Sequence, residues 1–322
     1  MELAEFSKTM NEWGQAKVPF LFMVDFEMIN PVIFKLSEID PNEILYSING
    51  FDNTIKKNSI ENIVIDKLPE ALSVYEKKFN KVIRYLEYGD TFLTNLTVAT
   101  EIKLQHTLSE IFYGSNAKYK LLFRNQFLVF SPETFVQIKD GKIYSFPMKG
   151  TIDASIVNAK EKILADKKEL AEHVTIVDLI RNDLSQVSSD VKVSRFRYIE
   201  EVRTGAKNLF QVSSEVCGQL DSHYTNSLGD ILLRLLPAGS VSGAPKPKTL
   251  EIIREVEGEN RGYYTGVFGY FNGRELDSGV MIRFIENKMG TYFYRSGGGI
   301  TTQSVVQSEY QEAIDKVYVP VT

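Results

Sequence analysis

Hydrophobic positions along the chain keep two rhythms. Between residues 69 and 88 they recur every three or four places. Leu72, Tyr75, Phe79, Val82 and Leu86 share one face, and Gly89-Asp90 ends the run, which predicts a helix with its apolar stripe in a core. Residues 102–114 and 226–236 also read as helical, and 155–187 are mainly helix, containing EKILADKKELAEH and VTIVDLIRNDL. Elsewhere the pattern alternates or runs continuously apolar. VPFLFMVDFEMINPVIF (18–34) predicts a buried strand and a turn punctuated by Pro31, ILYSINGF (44–51) a further short strand, and TFLTNLTVAT (91–100) a strand on its Thr, Val and Phe content. From 118 to 152 the texture is β. KYKLLFRNQFLVF is a strand pair about Arg124-Asn125, Ser131-Pro132-Glu133 interrupts, and TFVQI and KIYSF flank an Asp140-Gly141 hairpin turn. VKVSRFRYI is another strand. SVSGAPKPKTLEIIREVEG combines small residues, a proline fit for a first helical position and an amphipathic helix. RGYYTGVFGYFNGRELDSGVMIRFI forms two strands about Asn272-Gly273, TYFYRSG follows as a strand, and a last helix starts at Glu309 with Ser308 as its N-cap.

Runs of strands alternate with runs of helices, and hairpins occur in both halves. This predicts an α+β fold with antiparallel sheets rather than a parallel βαβ fold. No repeat, low-complexity segment or clear linker interrupts it. The expected organisation is a short N-terminal portion, 1–70, packed on a single compact core, 71–322. Composition works mainly by exclusion. With 43% hydrophobic and 25% charged residues the chain is of soluble globular type, and a net charge of −5 argues against a general nucleic-acid binder. No apolar run is long enough to span a bilayer, and MELAEFSKTMNEW lacks the marks of a secretory signal. A single cysteine, Cys217, excludes an intrachain disulfide; together these features point to the cytoplasm. Three scattered histidines leave no His-rich metal centre, so any bound cation is expected to be hard and oxygen-ligated.

The stretch RSGGGITTQSVVQSEYQE (295–312) carries the densest chemistry. Gly297, Gly298 and Gly299 leave main-chain N–H groups open to an anion. Glu309 and Glu312, three apart, share one helix face, and Glu169 and Glu172 repeat that spacing. Each pair reads either as a solvated face or as half of a Mg²⁺ site. Lys149, between Met148 and Gly150, is either a solvated turn residue or a nucleophile, and the second role needs its ordinary pKa of ~10.4 brought down by burial or a nearby cation. Glu133 is a turn residue or a general acid. Tyr264 and Arg283, on neighbouring strands, suit a carboxylate, and the N–H groups of Gly243 and Ala244 before a helix suit a second anion.

Taken in order, GDTFLTNLT, FSPETF, FPMKGT, KELAEHVTIVDLIRNDLSQV, LLPAGSVSGAPK, RGYYTGVFGYF, VMIRF and SGGGITTQSVVQSEYQEAIDK resemble the motifs of the chorismate-utilising enzymes, from about residue 75 to the C-terminus. The resemblance implies two intertwined halves with packed antiparallel sheets and helices outside. It implies that Glu169, Glu172, Glu309 and Glu312 hold Mg²⁺, with Glu172 and Glu312 as direct ligands, and that the metal grips the ring carboxylate of chorismate. Tyr264, Arg283, Gly297 and Gly299 would hold the enolpyruvyl carboxylate, with Gly243, Ala244 and Thr151 also in the substrate site, and Glu133 would act as general acid.

Three positions discriminate within that family. Lys149 in PMKGT resembles the PIKGT of aminodeoxychorismate synthases, whereas anthranilate synthases carry alanine there. Asp230 stands where anthranilate synthases have a catalytic histidine. Leu93 replaces both the lysine of isochorismate and salicylate synthases and the glutamine of the aminating members. The resemblance therefore implies amination of chorismate at C4 by way of a Lys149 adduct. The chain shows no Cys-His-Glu triad, so ammonia is expected from a separate glutamine amidotransferase subunit or from solution. Anthranilate synthesis is the alternative within the family, and a non-catalytic chorismate-binding relative is the alternative outside the enzymes.

Overall fold

Phe20–Val24 is buried at all five positions, and its alternate residues serve two different cores. Phe20, Phe22 and Val24 face a cluster built with helices, while Leu21 and Met23 face a second cluster shared with strands of another sheet. That double burial places this strand inside a layered molecule rather than at its rim. The computed structural model describes residues 1–54, 63–203 and 208–321.

Its helices are α1 (Leu3–Gln15), α2 (Leu72–Tyr88), α3 (Leu108–Gly114), α4 (Ala159–Ala165), α5 (Lys167–Ser185), α6 (Leu228–Leu235), α7 (Lys246–Glu257) and α8 (Val306–Asp315). The strands of the first part are β1 (Phe20–Val24), β2 (Val32–Lys35), β3 (Ile44–Ile48), β4 (Phe51–Asp52), β5 (Ile65–Leu68), β6 (Leu93–Leu104), β7 (Tyr119–Phe123), β8 (Phe127–Ser131) and β9 (Thr134–Lys139). Those of the second part are β10 (Lys142–Ser145), β11 (Met148–Asp153), β12 (Ser189–Arg203), β13 (Asn208–Gln219), β14 (Gly243–Ala244), β15 (Val267–Phe271), β16 (Leu276–Val280), β17 (Phe284–Lys288) and β18 (Thr291–Ile300). No helix among the described residues is long and apolar enough to cross a membrane.

The strands form two sheets with antiparallel pairing. One runs β11-β13-β10-β9-β16-β15-β1-β2, with β12 also on β13. The other runs β14-β6-β18-β17-β8-β7-β3-β4, with β5 also on β6. Both halves of the chain feed both sheets, so the expected α+β fold with intertwined halves is what the structure has. Leu21, Met23 and Phe268 of the first sheet meet Tyr46, Leu121 and Val129 of the second in the central core. Helices α1, α5 and α6 cover the outside of the first sheet, α3 covers part of the second, and α2, α7 and α8 lie over β6 and β18. The N-terminal residues are woven in, since β1 and β2 enter the first sheet and β3 and β4 the second.

The structure corrects two local expectations and adds one helix. Residues 102–104 continue β6 rather than begin a helix, because Ile102 points inward between exposed Glu101 and Lys103; α3 starts later, where Thr107 and Glu110 form a capping box. The last helix begins at Val306, so Ser308 lies inside its first turn and is not the N-cap. Leu3–Gln15 folds as a helix that pattern reading left unassigned; its buried Phe6, Met10 and Gly14 pack against α6 and the segment before it.

Candidate functional site

A cavity of about 220 Å³ opens where β6 and β18 of one sheet face β9 and β11 of the other. Leu93, Asn95, Glu133, Lys149, Tyr264 and Arg283 line it, together with Gly297, Gly298 and Gly299. The three glycines lie in extended β18, in register with Thr97, Leu96 and Asn95 of β6, rather than in a turn. Lacking side chains, they let the cavity reach the strand backbone.

Lys149 stands in β11 beside Gly150, whose φ of +88° suits glycine, and a register irregularity between Met148 and Thr151 marks the same place. Its Nζ lies 2.8 Å from Glu172 Oε2, with the lysine side chain 33% and the glutamate 18% exposed. Burial pulls the pKa of Lys149 down, but Glu172, Glu169 and Glu312 outweigh it, and the net direction is up. Lys149 is thus held as an ammonium by its acidic neighbours.

The four glutamates approach from two helices. Glu169 and Glu172 come from α5 over β11, and a Cβ added at Gly150 would sit 3.0 Å from Glu169 Oε2. Glu309 and Glu312 come from α8 over β18, where a Cβ at Gly298 would sit 3.4 Å from Glu309 Oε2 and 3.9 Å from Glu312 Oε1. Lysines occupy the charge between them. Lys316 Nζ is 2.6 Å from Glu312 Oε1 and donates to Gly297 O at 2.8 Å, and Lys168 lies 3.9 Å from Glu172. Among the described residues no three acidic, histidine or cysteine side chains already stand together as a cation cage. The donor set nevertheless fits a hard divalent cation. Glu169 Oε2 is buried without a hydrogen-bond partner. Burial, reinforced by Glu172, holds the Glu169 carboxyl above its ordinary range, and burial with the charge of Glu312 does the same to Glu309.

Glu133 sits across the cavity. Its carboxylate accepts a very short hydrogen bond from Ser240 Oγ, and burial raises its pKa against the opposing pull of Ser240, Arg283 and Lys316. A carboxyl that keeps its proton longer suits a general acid. Tyr264 is buried and its hydroxyl is pushed up to about 12, so it stays a donor. Arg283 occupies the crossing from β16 to β17 with φ +54° and lines the same cavity.

Four expected members fall elsewhere. Thr151 is exposed and pairs with Gln211, because the irregularity at Gly150 turns it away from the cavity. Asp230 lies on α6 and accepts hydrogen bonds from Ser7 Oγ at 2.7 Å and Asn11 Nδ2 at 2.9 Å, so it fastens α1 and is absent from the cavity lining. Gly243 and Ala244 form β14, paired with Thr94 and Leu93 behind the cavity wall, and are absent from its lining. Conversely, sequence reading missed Lys316, Ser240 and Asn95. Lys316 is four residues past Glu312, a spacing that signals an ion pair on a helix. Ser240 and Asn95 carried no comparable signal.

The profile of the family described as chorismate binding enzyme matches residues 52–322. The chain belongs to this family. An uncharacterized PabA-like protein of Haemophilus influenzae is 44% identical over 99% of this chain and 97% of its own. Aminodeoxychorismate synthase component 1 of Bacillus subtilis is 33% identical over 85% of this chain, which spans 65% of that relative's length. Among solved structures, MenF, the menaquinone-specific isochorismate synthase of Escherichia coli, superposes with a TM-score of 0.73 over 97% of this chain and 80% of its own at 15% identity, a likeness of fold. Tyr264 and Arg283 line the cavity itself, whereas the four glutamates are absent from its lining and stand beside it, around Lys149, Lys316 and Gly298.

Proposed function

We propose that this chorismate-binding enzyme aminates chorismate at C4, giving 4-amino-4-deoxychorismate, with ammonia supplied by a separate glutamine amidotransferase chain or from solution. The observation that carries the reading is Lys149, which lines the cavity and whose Nζ lies 2.8 Å from Glu172 Oε2. Asp230 no longer bears on the choice between amination at C4 and anthranilate synthesis, because it lies away from the cavity.

Mg²⁺ would be held by Glu172 and Glu312, backed by Glu169 and Glu309, and would supply a Lewis-acid grip on the ring carboxylate. Tyr264, Arg283 and the β18 glycines would receive the enolpyruvyl carboxylate. Lys149 attacks as a neutral amine, so its pairing with Glu172 has to end first. With the charges of Glu172, Glu169 and Glu312 engaged elsewhere, burial is left acting on Lys149 and favours the amine. Its Nζ then bonds to C2, the ring double bonds shift from C1=C2 and C5=C6 to C1=C6 and C4=C5, the C4–O bond breaks, and Glu133 gives its proton to the departing hydroxyl to form water. Ammonia bonds to C4, both double bonds return to C5=C6 and C1=C2, the C2–Nζ bond breaks, and Glu133 takes back a proton from the new ammonium. The hydroxyl is replaced by an amino group, and Lys149 and Glu133 are restored.

The test is a product assay with chorismate, Mg²⁺ and ammonium at mildly alkaline pH. The expected product turns into 4-aminobenzoate when a separate lyase is added. Fluorescent 2-aminobenzoate would instead make the chain an anthranilate synthase. No product, even with a glutaminase subunit and glutamine, would leave a binding protein without catalysis.

A further inference from the structure

One wall of the cavity carries an acceptor that the roles above leave unused. Asn95 Oδ1 is buried and has no hydrogen-bond partner. An unmet buried acceptor is costly, so a site that keeps one is built to meet it with something. The backbone of Asn95 is fixed on both sides: its N–H donates to Ser242 O at 2.8 Å, and its carbonyl accepts from Arg261 Nη2 at 2.7 Å. Strand alternation puts Asn95 on the same face as Leu93, and its register partner Gly299 adds no side chain there, Leu93 Cδ1 lying 2.9 Å from where a Cβ would sit.

Other uncharged polar side chains on this lining are engaged. Thr134 accepts from Lys118 and Tyr119, Ser145 donates to Phe135 O, Ser240 to Glu133, and Thr265 to Tyr264 O. Ser296 is also unpartnered, but it pairs with Val98 and belongs to the opposite face of the strands, with Gly298 toward α8. The carboxylates and ether oxygen of chorismate can only accept hydrogen bonds. Two donors remain among the reactants, the C4 hydroxyl and ammonia, and Glu133 serves the first.

We propose that Asn95 Oδ1 accepts an N–H of the incoming ammonia and aims its lone pair at C4. This rests on the amination reading above. No bond of Asn95 changes; the N–C4 bond forms as C2–Nζ breaks, and the proton goes to Glu133. On this view the ammonia site lies one pleat along β6 from Leu93, whose side chain has nothing to offer an amine.

The experiment separates adduct formation from adduct discharge in Asn95→Ala. Chorismate and Mg²⁺ without ammonium are expected to load Lys149 at the wild-type rate, read by intact mass. Discharge by a fixed ammonium concentration is expected to slow about tenfold or more, with the ammonium KM raised in proportion and the chorismate KM unchanged within about twofold. Discharge at the wild-type rate would overturn the proposal. So would a raised chorismate KM with an unchanged ammonium KM, which would assign Asn95 to the ring hydroxyl. If Asn95→Ala loads no adduct, Asn95→Ser, which keeps a smaller acceptor, is read in the same way and is expected to fall between the two. A wild-type enzyme that forms neither adduct nor amine would sink the amination reading, and this proposal with it.

Discussion

Arg261 and Lys149 each hold a glutamate at close range, 2.7 Å to Glu257 and 2.8 Å to Glu172, in opposite surroundings. The Arg261 pair is 1% and 3% exposed. Its guanidinium grips Glu257 with two nitrogens, reaches Val241 O and Asn95 O, and lies 4.5 Å from the centre of the Phe26 ring. Glu257 also accepts the N–H of Thr97. Every contact is used, and arginine cannot release its proton in this setting. The Lys149 pair opens on a cavity, rests on a cation that can become a neutral amine, and is surrounded by further carboxylates. A fully used pair fixes backbone; a pair with one labile partner can be exchanged. Arg261 stands behind the cavity and anchors Val241 and Asn95 of its wall, whereas Lys149 lines the cavity itself.

Substitutions that swap the two cations test this contrast. Lys149→Arg keeps a positive charge opposite Glu172 but cannot form the adduct. Turnover is expected to fall about 10³-fold or more, with unfolding free energy unchanged within about 1 kcal/mol, measured by steady-state assay and urea titration. Substantial turnover in that variant would erase the distinction. Arg261→Lys keeps the charge and loses the fork, leaving buried carbonyls unmet, and is expected to cost about 3 kcal/mol in urea unfolding. A cost below about 1 kcal/mol would show the buried pair to be as replaceable as the other.

The smallest effect sharpens the picture further. Glu172→Gln removes the nearest of the carboxylates that raise the Lys149 pKa, so the pH dependence of Lys149 labelling by an amine-reactive reagent, without metal, should move to lower pH. The sign is fixed by linkage. The raised pKa means that the pair's small stabilisation is present below the ordinary lysine pKa and is lost as pH rises through the folded value. An unmoved labelling curve would mean that Glu172 does not hold the ammonium.

The hairpin turns at Arg124-Asn125, Asp140-Gly141 and Asn272-Gly273 were legible because positive φ leaves a compositional mark, and the structure has it at Arg124, Asn125, Asp140, Gly141 and Gly273. The helix stripe ending at Gly89 was legible for the same kind of reason, since Gly89 closes α2 in the left-handed conformation. Lys149 in the cavity lining and the two glutamate pairs beside it were legible because chemistry and spacing coincide there. Asp230, Thr151, Gly243 and Ala244 failed because a residue's type does not say which way a helix or a bulged strand turns it. Asn95 was invisible for the converse reason: an asparagine in a strand is unremarkable until its amide is found buried and unpartnered.

Strand β1 has a consequence for how the chain is made. Phe20–Val24 is synthesised well before its partner β15 at Val267–Phe271, and its other neighbour is the short β2. Five residues that end with no solvent contact must wait, while the chain between them and β15 is made, for the segment that shelters them. Non-local pairing of this kind slows folding and leaves apolar strand edges open to other chains. A nascent chain stalled before residue 267 would carry that segment without its partner strand, a natural substrate for chaperones and a seed for aggregation.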